Sequence, residues 1–529
     1  MSLLTGAGVS MAAGAPSWSE LVEKLAASIP GFNDTFESHR NARVPETMIS
    51  QYIYSRYIDE HIDADKSVPE FYRSITANIG WHKAIRKEIY EKVPDSAEEI
   101  SKTHPYITNL ARLCLRCDST ITFNFDNILD QVAALVLPDD TLPPKTTWHL
   151  PPIDKVNFPF IFHINGLLPQ NERQKTSDKL IFTEDSFLQV LYGATAINNN
   201  VMSRFTNNTF LLVGVSLTDH SLKSILATTS VRSPGSVHYL INWLDRDDAM
   251  SAMQMEDISR ANFELYNLVT IFLTSKQIDE FLQLVQVGVD RTVRTDIELL
   301  DEKFRDALRE YSATAPISYK YYIAGPVASG KSTLLENLRT FQTLEEWPER
   351  TPTELYQDHK LLTSEQRLSV DNWVYRQLRI KNRHFVKGEP GIHVMDRAPL
   401  DLFAFSLDAD ENRRKADEIV RIVETDRKLS EGEVMLVVAS PENLLERQLR
   451  RGRIPQDKGG ISYNGDGLKV QTEQLEKIYA GAVVYNTDFC NANQLTRKAI
   501  RHILFDEYKP IDVSALNAAI ASGTSTPAK

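Results

Sequence analysis

Two short glycine-rich stretches in this chain have the composition and spacing to hold phosphate. The first, Leu3–Leu21, reads LLTGAGVSMAAGAPSWSEL. An apolar pair runs to Thr5, a Gly6-Ala7-Gly8 turn follows, and a helical pattern begins near Trp18. A strand, a tight glycine turn and a helix is the layout that holds a dinucleotide pyrophosphate. Glycines let the backbone approach the phosphates, and unpaired N–H groups at the helix start face the anion. The usual G-x-G-x-x-G fingerprint is incomplete, because Met11 holds the third glycine position. The second stretch, Tyr321–Leu335, reads YYIAGPVASGKSTLL. Gly325, Gly330, Lys331 and Ser332 satisfy G-x-x-x-x-G-K-[ST], with an apolar strand before them and a helix, entered through Thr333, after them. Loop N–H groups of this kind cradle phosphates, Lys331 adds a cation at the β/γ oxygens, and Ser332 can ligate Mg²⁺. That is a site for ATP with Mg²⁺.

Other residues could do chemistry beside these turns. Ser119–Asp130, STITFNFDNILD, alternates like a strand and delivers Asn124 and Asp126 at its C-terminal end, where ligands bind in open α/β sheets. The same residues also suit a turn in which Asn and Asp cap a helix. Phe158–Pro169, FPFIFHINGLLP, is an apolar strand entering a glycine turn. It carries His163 and Asn165, two apart and so on one face. Thr209–Asp219 is a buried strand ending in Gly214, Val215 and Ser216. Ile392–Phe405 ends a strand in Asp396-Arg397, with Asp401 on the next turn. Val434–Ser440 leads into a helix with Arg447, Arg450, Arg451 and Arg453, which could clamp phosphates or form a solvated basic face. Cys114 and Cys117 make one CxxC. A zinc site needs two more ligands and Cys490 stands alone, so these read as small core residues with no zinc.

The elements that must carry these residues fill a chain of 529 residues, too long for one core. The fold expected is α/β in two domains. Residues 1–289 form a dinucleotide-binding sheet, with Pro45–Val93 as an inserted helical layer and Val237–Asn242 and Leu268–Leu273 as its last strands. A charged linker spans 290–318, a P-loop domain 319–510, and a small, polar, disordered tail 511–529. Apolar content of 42% and charged content of 25% suit a soluble globular protein. The net charge of −12 argues against a general nucleic-acid or membrane-surface binder. Three cysteines cannot build a disulfide framework, which points to a reducing cytoplasm. No apolar run reaches membrane-spanning length. The N-terminus lacks a basic segment and is broken by its glycine turn, so it does not read as a signal peptide. The first strand begins almost at Met1, which leaves room for an upstream piece outside this chain. A homo-oligomer is compatible with all of this.

The order Gly6, Gly8, Ser10, Gly14, Pro16, Trp18 resembles the opening of sirtuin-like NAD-consuming domains, especially the bacterial branch found in anti-phage defence proteins. Asn124-Phe125-Asp126 resembles the T-x-N-[FY]-D motif of that family, whose Asn is catalytic, and Lys179–Phe187 and Thr209–Asp219 continue the likeness to about Val285. The resemblance implies a Rossmann-like sirtuin-type domain. Asn124, Asp126 and His163 would be its catalytic residues. Gly6, Ala7, Gly8, Ser10, Pro16 and Trp18 would hold NAD, with Gly214 and Ser216 against its adenosine half. The family's His-Gly pair is Asn165-Gly166 here, and an amide cannot take a proton at neutral pH. Either His163 substitutes as base, or hydrolysis relies on positioning and electrostatics, or the domain binds without turnover. Protein-deacylating sirtuins usually carry a four-cysteine zinc module, which this chain cannot supply.

From Tyr319 to Phe505 the order P-loop, D-R-x-x-x-D, apolar strand and Arg-rich lid resembles nucleoside and nucleoside-monophosphate kinases. By that resemblance Arg397 contacts substrate or phosphates, and Arg450, Arg451 or Arg453 covers ATP. Glu346 and Glu349 are both candidates for the carboxylate that takes the nucleoside proton. Two functions are expected from the pair of resemblances. The first is an NAD-degrading effector coupled to a nucleotide-binding sensor. The alternative is a nucleoside or nucleotide kinase regulated by a non-catalytic NAD-binding half.

Overall fold

Leu3 and Leu4 sit inside the molecule on both faces of their strand, as central parallel strands do. They belong to β1 (Ser2–Thr5), the middle of a seven-stranded sheet. The computed structural model describes residues 1–63, 67–138, 142–149, 159–189, 195–244, 250–289, 318–356, 362–386, 391–425, 427–451 and 465–523. The chain divides into two compact units, Met1–Asp296 and Ile297–Lys529. Apart from Ser318, the expected linker lies outside the described residues.

In the first unit β2 (Thr120–Thr122), β3 (Lys145–Thr147), β4 (Phe160–His163), β5 (Phe210–Val213), β6 (His238–Trp243) and β7 (Leu268–Leu273) join β1. The order is β3-β4-β2-β1-β5-β6-β7, and every pairing is parallel. The chain leaves β1 toward β2 on one side and later returns to β5 on the other. A crevice therefore opens beyond the C-terminal end of β1, the topological switch point where ligands bind in open sheets. The glycine turn does not run straight to Trp18. It enters a five-residue helix, α1 (Ala7–Met11), and only then α2 (Trp18–Ala27). A capping box starts α2. Ser17 Oγ accepts from Glu20 N–H (3.3 Å), and the Glu20 carboxylate accepts from Ser17 N–H (2.6 Å). The inserted layer is a helical pair, α3 (Glu46–Asp63) and α4 (Glu70–Tyr90), whose Trp81, Ile85 and Ile89 pack under α2. Cys114 and Cys117 are buried in the core, and burial pushes the Cys117 thiol up to about 12.

In the second unit β8 (Ser318–Ala324), β9 (Gln342–Leu344), β10 (Gly391–Asp396), β11 (Glu433–Val438) and β12 (Val483–Asn486) form an all-parallel sheet. Its order is β12-β11-β8-β10-β9, so β8 again lies at the switch point and its C-terminal end leads into the P-loop. Helices α5 (Lys331–Asn337), α6 (Ser364–Val386), α7 (Pro441–Arg450), α8 (Gly465–Ile478) and α9 (Val513–Ser522) bear on the site or its support. The expected disordered tail is corrected over its first part. Ile511 bridges to Gly432, and α9 packs on the helix Ala409–Glu418, with Asn517 Nδ2 donating to Ala416 O (3.2 Å). Among the described residues no helix is long and apolar enough to cross a membrane.

Candidate functional site

In the first unit, three strand ends meet at the glycine turn. Gly6 N–H donates to Val213 O (3.1 Å) and Gly8 N–H to Gly214 O (2.8 Å). The turns after β1 and β5 touch backbone to backbone: a Cβ on Gly6 would lie 2.7 Å from Gly214 O, and one on Gly8 2.8 Å from Gly214 Cα. On the other side, Asn124 Nδ2 donates to Ser10 Oγ (3.0 Å), and Ser10 Oγ donates to Asp126 Oδ1 (2.9 Å). Ser10 on α1 thus joins the glycine turn to both polar residues beyond β2. Among the described residues Asn124 Oδ1 is left buried without a hydrogen-bond partner, an acceptor facing no donor. Burial raises the Asp126 pKa, while the Ser10 hydroxyl and the Ile128 N–H pull the other way.

His163 does not present a free nitrogen. Nδ1 lies 3.0 Å from the carbonyl oxygen of Asn124 and Nε2 lies 3.1 Å from Asp130 Oδ2. A carbonyl and a carboxylate are both acceptors, so an imidazolium donating from both nitrogens satisfies them. Burial by itself would lower its pKa, but the Asp130 carboxylate, the bond to it and the bond to Asn124 O raise it. Thr146 Oγ1 donates to the same residue's carboxylate (2.6 Å). As placed, both His163 nitrogens are engaged, so acting as a base would require one of these contacts to open. Asn165, at the family's base position, donates through Nδ2 to Phe123 O (3.0 Å). The imidazolium has a pH signature. Its raised pKa means that its stabilisation is complete below the unfolded-state value of about 6.5 and is lost as pH rises through the folded value. The gap in melting temperature between wild type and His163→Gln, read on the first unit's transition, should narrow steadily above that unfolded-state value. A constant gap would overturn the assignment.

The remaining sequence candidates divide. Gly8 lines a cavity of about 490 Å³ with Ala12, His104, Tyr106, Trp243 and Lys276, within the range of small-molecule sites. Ser216 bonds Thr218 Oγ1 (2.8 Å) in an exposed turn. Trp18 packs against Phe182 (4.8 Å between ring centroids) and Phe125 (6.2 Å), where it closes the helical layer on the turn. Pro16 directly precedes Ser17, the capping residue of α2.

In the second unit, Gly330 takes φ +110° and starts α5. Lys331 is buried and its amine donates to Gly325 O and Pro326 O (both 2.8 Å). Burial brings its pKa down to about 8, and Arg397 adds to the effect. Ser332 Oγ donates to Asp396 Oδ2 (3.2 Å), and Asp396 Oδ1 is buried without a partner among the described residues. A hydroxyl and a carboxylate with a free oxygen form the donor set that Mg²⁺ takes. Thr333 is exposed one residue on. Arg397 has φ +64°, pairs with Glu346 through Nε, and lies 5.5 Å from the Phe405 ring centroid. Glu349 instead accepts from Arg376 Nη2 and Gln377 Nε2 (both 2.7 Å), so Glu346 is the carboxylate nearer the P-loop lysine.

The arginines after β11 divide. Arg450 and Arg451 are exposed, and Arg450 is engaged by Glu446 (2.5 Å) one turn earlier. Arg453 lies outside the described residues. The arginine that reaches the loop is Arg447, which donates to Thr487 Oγ1 (2.8 Å), Thr487 O (3.0 Å) and Ser329 O (3.4 Å). Gln471 on α8 was not legible as a site residue, yet its Oε1 accepts from the P-loop Val327 N–H (3.2 Å).

Two parallel sheets with phosphate-type turns at their switch points define a two-unit α/β protein of nucleotide-binding type. Residues 118–271 match the family model described as a SIR2-like domain. The match spans Asn124, His163 and Gly214 but starts beyond the Gly6–Gly8 turn. Among solved structures the chain is similar to a deoxyadenosine kinase from M. mycoides with bound dATP, at 18% identity over 35% of this chain and 98% of that one, with a TM-score of 0.29. It is also similar to the NadR protein in complex with NR, at 11% identity over 60% of this chain and 94% of that one, with a TM-score of 0.25. A comparison with curated proteins found no match. Part of the first unit thus matches a SIR2-like domain, and a second parallel sheet carrying a P-loop sequence follows it.

Proposed function

We propose that the first unit cleaves the nicotinamide–ribose bond of NAD, and that the second binds ATP and a nucleoside or nucleotide as a sensor. The observation that carries this is the Asn124–Ser10–Asp126 chain, which ties the family's catalytic asparagine to the glycine turn. The turn would hold the pyrophosphate and the cavity beside Gly8 the adenosine. Asn124 Oδ1 would then accept from a ribose hydroxyl or the attacking water. In hydrolysis the C1′–N bond breaks, nicotinamide leaves neutral, water oxygen bonds C1′ and its proton passes to solvent. The leaving group is cationic before departure, so the main demand is to stabilise a cation-like ribose. Asp126 would supply a carboxylate for that. With Asn165 unable to take a proton and both His163 nitrogens engaged, positioning and electrostatics would supply the rate. Nucleotides bound by the second unit bias the first only if they distinguish two conformations. A role in anti-phage defence in the cytoplasm rests on the resemblance alone.

In the second unit Lys331, Ser332, Asp396 and Arg447 would hold Mg·ATP, and Arg397 and Glu346 the acceptor. Mg²⁺ there would neutralise charge on the phosphates. The test is nicotinamide release from NAD by the purified full chain, with and without Mg·ATP and nucleosides. Asn124→Ala should cut release about 100-fold or more, the scale of losing a transition-state contact. No release under any condition, or undiminished release by Asn124→Ala, rejects the reading. The engagement of His163 and the amide at Asn165 favour a second reading, in which the first unit binds NAD without turnover and regulates a working kinase. Phosphoryl transfer from labelled ATP to nucleosides, lost in Lys331→Ala and with no nicotinamide release, would select it.

A further inference from the structure

We propose that Lys381 is a positioning residue of the second unit, fixing the Glu346–Arg397 pair through the backbone; this rests on reading that unit as a nucleotide and nucleoside site. Lys381 lies on α6 and is 4% exposed. Its ammonium donates to Asp396 O (2.5 Å), Arg397 O (3.4 Å) and Glu346 O (3.4 Å). An ammonium has three N–H donors and no acceptor, and here three carbonyls meet it. Two come from the turn that leaves β10 and the third from the loop that leaves β9. Those two segments carry Arg397 and Glu346, whose side chains then meet each other.

Arg397 needs such a hold. Its φ of +64° lies in a region that non-glycine residues avoid. Its N–H is tied to Ile323 O (2.9 Å), its carbonyl to Lys381 and its guanidinium to Glu346. Without the ammonium, three carbonyls, that of Asp396 buried, lose a donor and the turn is free to relax toward the right-handed region, which would swing the guanidinium off Glu346. A methionine would fill the same volume without desolvating a charge. The charge at position 381 is therefore explained by the carbonyls it gathers, not by packing.

The test uses the full chain. Wild type, Lys381→Met and Lys381→Gln are titrated by calorimetry with Mg·ADP and, in its presence, with each of the four deoxynucleosides, and melting temperatures are recorded without ligand. Lys381→Met should lose about 30-fold in nucleoside affinity, the scale of lost charge-assisted hydrogen bonds, and clearly less in Mg·ADP affinity, where Lys381 touches Asp396 alone. Lys381→Gln keeps an N–H for Asp396 O and should lose less. A merely structural lysine would lower the melting temperature and both affinities together. Parallel losses for the two ligands, or unchanged nucleoside affinity in both variants, overturn the proposal. If Lys381→Met does not fold, Lys381→Gln carries the comparison, and unfolding of both variants also overturns it. Wild type that binds no nucleoside overturns the kinase reading, and the proposal falls with it.

Discussion

Replacing Lys331 by alanine is expected to weaken Mg·ATP binding about 100-fold, because it removes the cation that meets the phosphates in a water-poor loop. The amine is already inside the loop, on Gly325 O and Pro326 O at 2.8 Å, so phosphate oxygens would replace carbonyls without desolvating it anew. A pH dependence follows from its pKa of about 8. The ammonium form binds phosphate better than the amine, so wild-type affinity should fall as pH rises past about 8. Lys331→Ala should show a flatter profile over the same alkaline range. Titration calorimetry across that range is the measurement. Equal affinity in the variant, or an undiminished alkaline fall, would show that the loop does not use this lysine.

Gly214→Ala is expected to disable the first unit at its centre. Gly214 has φ +67°, and an added Cβ would lie 2.5 Å from Val9 N and 2.9 Å from Gly8 C. The left-handed conformation costs alanine about 1–2 kcal/mol, and crowding a packed site adds about 1–3 kcal/mol. A loss of about 3 kcal/mol should appear in denaturant unfolding of the first unit. The displacement falls on Gly8, so NAD binding should be lost along with stability. Wild-type stability together with wild-type NAD binding would mean that the two turns are not pressed together as described.

The two expectations rest on features of different legibility. The P-loop is written in consecutive residues, because one loop supplies all the donors. Gly330, at φ +110°, is the kind of position only glycine takes easily. The strands carrying Asn124 and Asp396 could be read for the same reason: apolar runs that are buried on both faces end in polar residues. What joins Asn124 to Ser10 could not be read, since 114 residues separate them and only the β1–β2 pairing brings them together. The partners of His163 were not legible because strand alternation gives a side chain's face but not what it meets. Thr146 and Asp130, from β3 and the helix after β2, meet at His163 only in the folded sheet. The arginines after β11 share one helix. Which of them faces the P-loop depends on how α7 packs, and the packing selects Arg447. The tail Val513–Ser522, VSALNAAIAS, looks like a spacer because small residues bury little surface alone. They suffice once Ala409–Glu418 offers a matching face.

The sequence by itself determined that there are two phosphate-type turns, two parallel sheets to carry them and an amide where the family places a histidine, because each is encoded by residues close together in the chain. Tertiary structure alone decided which side chains those turns face, that His163 is held between two acceptors, and that Lys381 sits behind Arg397. Those outcomes depend on strand order and helix rotation, which are settled by how the apolar faces pack, and packing is set by residues far apart along the chain.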